Sequence, residues 1–214
     1  MNPKLAGIIH NYLVALCIAK IRKSSNPSKR EKKEIAKNTI LDFIANSGLC
    51  QSIELKVAMI DIIMNHDKLK QPKLTPQQNK LMTEIENLLK LKYHFEVKIK
   101  ANILEQKIKK IVPIKEQIPL LECLSVATES FFLWTHQYPI NNNQPDNPTV
   151  KKDRGNIWGS IWDVGKQDLI GAGLGALTGS PIGVGGVAAY FSIDKALDDY
   201  EASVDEEYES YDEE

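Results

Sequence analysis

The sequence predicts an all-α protein: a helical bundle of about five helices, then a C-terminal glycine-rich helical hairpin and an acidic tail. Three observations carry this. Apolar residues recur at three- and four-residue intervals through most of residues 1–137. No stretch alternates with period two beside turn chemistry. Ten of the twelve glycines crowd between Gly155 and Gly186. A chain of 214 residues can bury a real core without staples. Cys17, Cys50 and Cys123 form no CxxC pair and sit in apolar helical surroundings, which reads as reduced, intracellular thiols in packing roles.

Leu5 to Ile21 reads as the first helix, apolar except for His10, Asn11 and Lys20, whose polar residues cluster on one side. A signal peptide competes for the same stretch. Lys4 is the only early cation, His10 and Asn11 interrupt the apolar run, and no A-x-A site precedes Lys20, so export is not expected. Asn26-Pro27-Ser28 opens a basic helix that turns apolar at Ile35, Ile40, Leu41 and Ile44, with Gly48 as its stop. Its start, Lys29-Arg30-Glu31-Lys32-Lys33, mixes signs and reads as a solvated face rather than a nucleic-acid patch. A third helix runs from about Ser52 to Asn65, with Ile53, Val57, Ile60 and Met64 expected on its inner face.

Thr75-Pro76-Gln77-Gln78 is a capping box with proline at the first helical position. It launches one long periodic segment ending near Pro113. Leu81, Ile85, Leu88, Phe95, Ile99 and Ile103 track a single seam, suited to a long helix crossing the bundle or pairing as a short coiled coil. Leu120 to Gln137 makes the fifth helix, and its Cys123, Val126, Phe131, Phe132 and Trp134 read as core. Residues 138–154, with three consecutive asparagines and Pro139, Pro145 and Pro148, form a linker that divides the body, 1–137, from the hairpin, 155–199.

Gly171, Gly175, Gly179 and Gly183 stand four apart, which on a helix clears one face so that another backbone can approach. Glycine weakens a helix by about 1 kcal/mol per residue relative to alanine, so close packing must offset this density. Leu169 to Ile193 carries no charge. A straight helix from Trp158 to Tyr190 would be about 48 Å long, beyond the roughly 30 Å of a hydrocarbon core, and Pro181 would break it. Gly179-Ser180-Pro181 instead reads as stop, cap and restart, with Ser180 and Pro181 as the hairpin turn. The fold-back places Gly171 and Gly175 against Gly183 and Gly186. It also sets Trp158 and Trp162 at the same end as Tyr190 and Phe191, as membrane-interface residues. Asp163, Lys166 and Asp168 then lie at headgroup level or in solvent. Each uncharged arm is only about 15–18 Å long, too short to cross a bilayer alone.

Charge is polarised along the chain. Residues 1–150 hold 22 Lys+Arg against 14 Asp+Glu, and residues 151–214 hold 5 against 14. The last residues, 200–214, read as a disordered acidic tail that docks a basic partner or the chain's own basic half.

Catalytic chemistry finds little support. Gly171-Ala172-Gly173-Leu174-Gly175-Ala176 matches the dinucleotide fingerprint, with Asp194 near the expected ribose-binding position, but no preceding strand or further βα unit is expected. The four histidines lie far apart without metal-ligand spacing, and no nucleophile elbow or Walker pattern occurs. No metal, cofactor, nucleic acid or enzymatic activity is expected.

Gly155 to Asp199, with its Trp158, Gly159, Trp162 entrance and glycine repeat, resembles the glycine-zipper segments of bacterial membrane-associated proteins and the Gly/Ala-rich tails of bacteriocin-like peptides. The resemblance covers about a fifth of the chain, and no double-glycine leader accompanies it. It implies close helix association in or at a membrane through Gly171, Gly175, Gly179 and Gly183. The expectation is a cytoplasmic, non-enzymatic protein, peripheral to or inserted in the membrane, whose hairpin contacts a membrane or its own copies. Its tail would latch the hairpin in the resting state. The alternative is a soluble adaptor or scaffold whose hairpin completes its own core and whose acidic tail docks a basic partner.

Overall fold

The computed structural model describes residues 2–46, 48, 52–65, 68, 73–137 and 154–209, with only the backbone of 136–137, 154–161 and 199–209. Among the described residues every regular element is helical. The α-helices are α1 (Lys4–Lys23), α2 (Lys29–Asn46), α3 (Ile53–Asn65), α4 (Pro76–Glu86), α5 (His94–Ile111), α6 (Ile114–Phe132), α7 (Arg154–Gly175) and α8 (Pro181–Glu209). That is eight, rather than about five plus a hairpin, and the bundle departs from expectation in three places.

The first is the long segment after Thr75. Its capping box forms, with Thr75 Oγ1 accepting from the Gln78 amide at 3.2 Å and the Thr75 amide donating to Gln78 Oε1 at 2.9 Å. The helix then tightens into a 3₁₀ turn at Asn87–Lys90, and Leu91 and Tyr93 are extended. Leu88 and Leu89 of this turn are both buried, and the break rotates α5 relative to α4. α5 consequently buries Val97, Leu104 and Ile108 and leaves Phe95, Ile99 and Ile103 outside, so the single seam is corrected to two different faces.

The second is α3, which buries Met59, Ile62 and Ile63 and exposes Ile53, Val57 and Met64. The expected inner face is the outer one. Both faces are apolar, so periodicity could not decide between them. The third is α6, which begins six residues before Leu120 and carries Pro119 within it. The Gln117 side chain donates to the carbonyls of Val112 at 2.7 Å and Lys109 at 3.0 Å and fastens this turn.

α8 is the hub. It packs on α7, α1, α2, α3 and α6, and residues 180–189 are all buried. Two apolar clusters meet at it. One joins Leu13, Val14, Ile40, Ile44, Met59 and Ile63 to Val187 and Ile193; the other joins Leu81, Ile85, Leu88, Ile108, Val126 and Phe131 to Leu169 and Val184. The core thus runs across the division expected at 138–154, a segment whose residues 138–153 lie outside the described ones. α8 also continues to Glu209, where a disordered tail was expected, because no glycine or proline follows Gly186 to stop it. Residues 210–214 lie outside the described ones.

α1 is the one described helix long and apolar enough to span a bilayer by length and composition. Its Ala6, Leu13, Val14 and Cys17 are completely buried, and it packs on α8 and α6.

Candidate functional site: a glycine seam with an ionic clasp

Where α7 meets α8, backbone lies on backbone. A Cβ at Gly171 would stand 2.8 Å from Ala188 Cα and 2.9 Å from the Val187 carbonyl oxygen, and one at Gly175 would stand 2.6 Å from Val184 Cα. Side chains do not tolerate such distances, so both positions require glycine. Gly183 is also blocked, but by the side chain of Thr178, whose hydroxyl donates to the Gly175 carbonyl at 2.6 Å.

Gly179 takes no part in this contact: nothing lies within 4 Å of where its Cβ would be. It has φ +63° and ends the 3₁₀ turn Ala176–Thr178 in the left-handed conformation, a backbone requirement. Ser180 then caps the next helix, its Oγ accepting from the Ile182 amide at 3.3 Å, and Pro181 takes the first helical position. Gly186 does not face the first arm either. It looks toward Ile44 and Leu13 with ordinary room, 3.6 Å to the nearest atom.

Two glycines outside the four-residue repeat extend the seam. A Cβ at Gly185 would lie 2.5 Å from the Ala6 carbonyl oxygen, and one at Gly7 would lie 2.6 Å from the Ser125 carbonyl oxygen. α7, α8, α1 and α6 therefore stack through glycine contacts in series. The signal for Gly7 was its place beside Ala6 in an apolar helix.

The aromatic residues do not gather at one end. With Gly171 level with Ala188 and Gly175 level with Val184, Tyr190 and Phe191 fall near Leu169, about two turns from Trp162. Both are half-buried against the α1–α2–α3 cluster. Trp162 is half-buried too, with the ammonium groups of Lys90 and Lys166 5.3 and 5.2 Å from its ring centre. The Trp158 side chain lies outside the described residues.

Asp168, expected at headgroup level or in solvent, is completely buried. Its Oδ2 accepts from the Ser130 hydroxyl, and its Oδ1 stands 3.4 Å from His10 Nε2. His10 Nδ1 pairs with Asn11 Oδ1 at 2.8 Å, and the Asn11 amide donates to the Glu129 carbonyl at 3.1 Å. Burial pulls the imidazole pKa down, and the facing Asp168 carboxylate, the Asn11 hydrogen bond and the Glu129 charge together outweigh it, holding His10 above its ordinary value. Serine, aspartate and histidine meet here in the wrong order for nucleophilic catalysis, with the carboxylate between hydroxyl and imidazole. All three are enclosed, and the network ties α1, α6 and α7 together. The fingerprint-like run 171–176 is helical through Gly175, without the strand a dinucleotide site needs.

At the far end of the described α8 side chains, charges close the seam. Lys33 Nζ lies 2.8 Å from Asp194 Oδ1 and 2.9 Å from Asp198 Oδ1, and Lys29 Nζ lies 3.0 Å from Asp198 Oδ1. Despite partial burial, these carboxylates hold the Lys33 pKa above its ordinary value, and the two lysines hold Asp198 below its own. Cys17 and Cys123 are buried and free, and burial pushes both thiols up to about 12, far from thiolate chemistry. Cys50 lies outside the described residues.

A scan against protein-family models, a search of curated proteins and a search of solved structures each find no match to this chain.

Proposed function

We propose that the chain is a non-enzymatic helical scaffold, set in the cytoplasm, whose α7–α8 hairpin completes its own core and whose acidic C-terminal end docks a basic partner. The supporting observation is where the glycines are used: Gly171 and Gly175 lie against the α8 backbone, and residues 180–189 are buried throughout. With Gly171 and Gly175 set against α8, those two contact positions are already occupied within the chain. The free, buried thiols of Cys17 and Cys123 agree with a reducing compartment.

A second reading keeps the hairpin for a membrane, released when the clasp opens. Its support is the uncharged run Leu169–Ile193 together with the ion pairs from Lys29 and Lys33 to α8. One experiment separates the two. The scaffold reading expects Gly175→Leu to lower the melting temperature by roughly 3–10 °C and leave co-sedimentation with vesicles unchanged. Unchanged melting with altered vesicle binding would instead favour the membrane reading.

A further inference from the structure

Helix α5 carries an apolar stripe on the side away from the core. Phe95, Ile99 and Ile103 follow at four-residue spacing and are 62%, 58% and 60% exposed, while Val97, Leu104 and Ile108 on the other side are buried. Tyr93 stacks on Phe95 with ring centres 5.8 Å apart. Helical geometry sets Lys98 and Lys109 along one flank of the stripe and Lys100 and Lys107 along the other, with Lys110 toward its C-terminal end. Lys107 is held by Glu84 and Lys109 by Glu105; Lys100 and Lys110 make no ion pair among the described residues.

The chain also holds the chemical complement of this face. Residues 199–214 contain nine acids and no lysine or arginine, and Tyr200, Val204 and Tyr208 recur among them at the same four-residue spacing. Their backbone continues α8 as far as Glu209. Such a helix end is unfavourable by itself. Glu201, Asp205 and Glu209 repeat like charge at every fourth position, and acids at a C-terminus oppose the helix dipole. A lysine-flanked surface relieves both. α5 packs mainly on α6 and α4, whereas α8 packs mainly on α7, α1 and α2, so within one chain the two surfaces belong to different parts of the bundle.

We propose that the outer face of α5 is the docking surface for the acidic C-terminal end of α8 from a second copy, exchanged reciprocally in a two-fold dimer. The α5 face supplies lysines, and the sequence of residues 199–209 supplies acids with an apolar residue at every fourth position from Tyr200, so the two complement each other in charge and in pattern. This rests on the scaffold reading, to which it supplies the basic partner.

The test is sedimentation equilibrium of the full chain, with circular dichroism to check that each variant folds. A dimer is expected at about 0.05 M salt, weakened at least ~10-fold at about 0.5 M. Reversing α5 alone (Lys100→Glu with Lys110→Glu), or the α8 end alone (Asp205→Lys with Glu209→Lys), weakens it at least ~10-fold. All four substitutions in one chain restore it to within about threefold. A monomer under every condition overturns the proposal. So does a dimer indifferent to both reversals, a loss the combination does not rescue, or a monomer that instead binds anionic vesicles through α5. If Gly175→Leu fails to lower the melting temperature, the scaffold reading falls while the dimer measurement still decides this one.

Discussion

Glu122 sits buried on α6 with Oε1 unpartnered, and burial lifts its carboxyl from 4.5 to about 7. The unfolded chain releases this proton near 4.5, so its contribution to stability is full below that pH and is lost as pH rises through about 7. His10 acts with the same sign, since its raised pKa favours the folded state below the ordinary 6.5 and that gain is lost above the folded value. Glu122 should therefore make the melting temperature decline between about pH 5 and about pH 7, above the range where carboxylates of lowered pKa such as Asp198 act with the opposite sign, and Glu122→Gln should flatten the decline, chiefly by raising the value at the alkaline end. Thermal melts of both proteins across that range check the sign. Neither site was legible in the sequence as a titrating group. Glu122 lies among apolar residues and cysteine, and Asp168 adjoins an uncharged run, but burial of a lone acid is a tertiary fact.

Among elements, the α7–α8 pair separates glycines that look alike in sequence. Gly171 and Gly173 are two residues apart on one helix, yet the first abuts α8 and the second has nothing within 4 Å of its Cβ position. Gly173→Ala should stabilise by about 0.5–1 kcal/mol through helix propensity, while Gly171→Ala should destabilise by about 1–3 kcal/mol through overpacking. Chemical denaturation of the two variants measures both. The sequence disclosed much at this level: the α4 capping box, the Gly179-Ser180-Pro181 junction, and the requirement for glycine at 171 and 175. It misassigned what depended on competing faces. α3 and α5 are apolar on both sides, so Ile53, Val57, Ile99 and Ile103 satisfied the helical period as well as the residues that are buried. Gly179 fits the four-residue repeat by position yet serves the turn that Ser180-Pro181 also marked, and only the structure removes it from the contact set.

Across the whole molecule, the polarity of charge read from the sequence takes local form in the clasp between α2 and α8. Its members are about one-third to two-fifths exposed, Lys33 at 31% and Asp198 at 43%, so the clasp contributes modestly. Lys33→Ala is expected to lower stability by less than about 1 kcal/mol at low salt, and the difference should vanish near about 0.5 M salt. Denaturation at the two salt concentrations checks it. The larger organising fact is that α8 holds the centre while residing in the last part of the sequence, with α1 against it. Synthesis delivers α1 first, and although α2 can cover part of Leu13 and Val14, their cluster stays incomplete until Val187 and Ile193 have emerged from the ribosome. Closure of that cluster thus waits on contacts between residues far apart in sequence, and in refolding it should lag the local pairing of α1 with α2, which pulse-labelling hydrogen exchange would read as later protection of α8 than of α2.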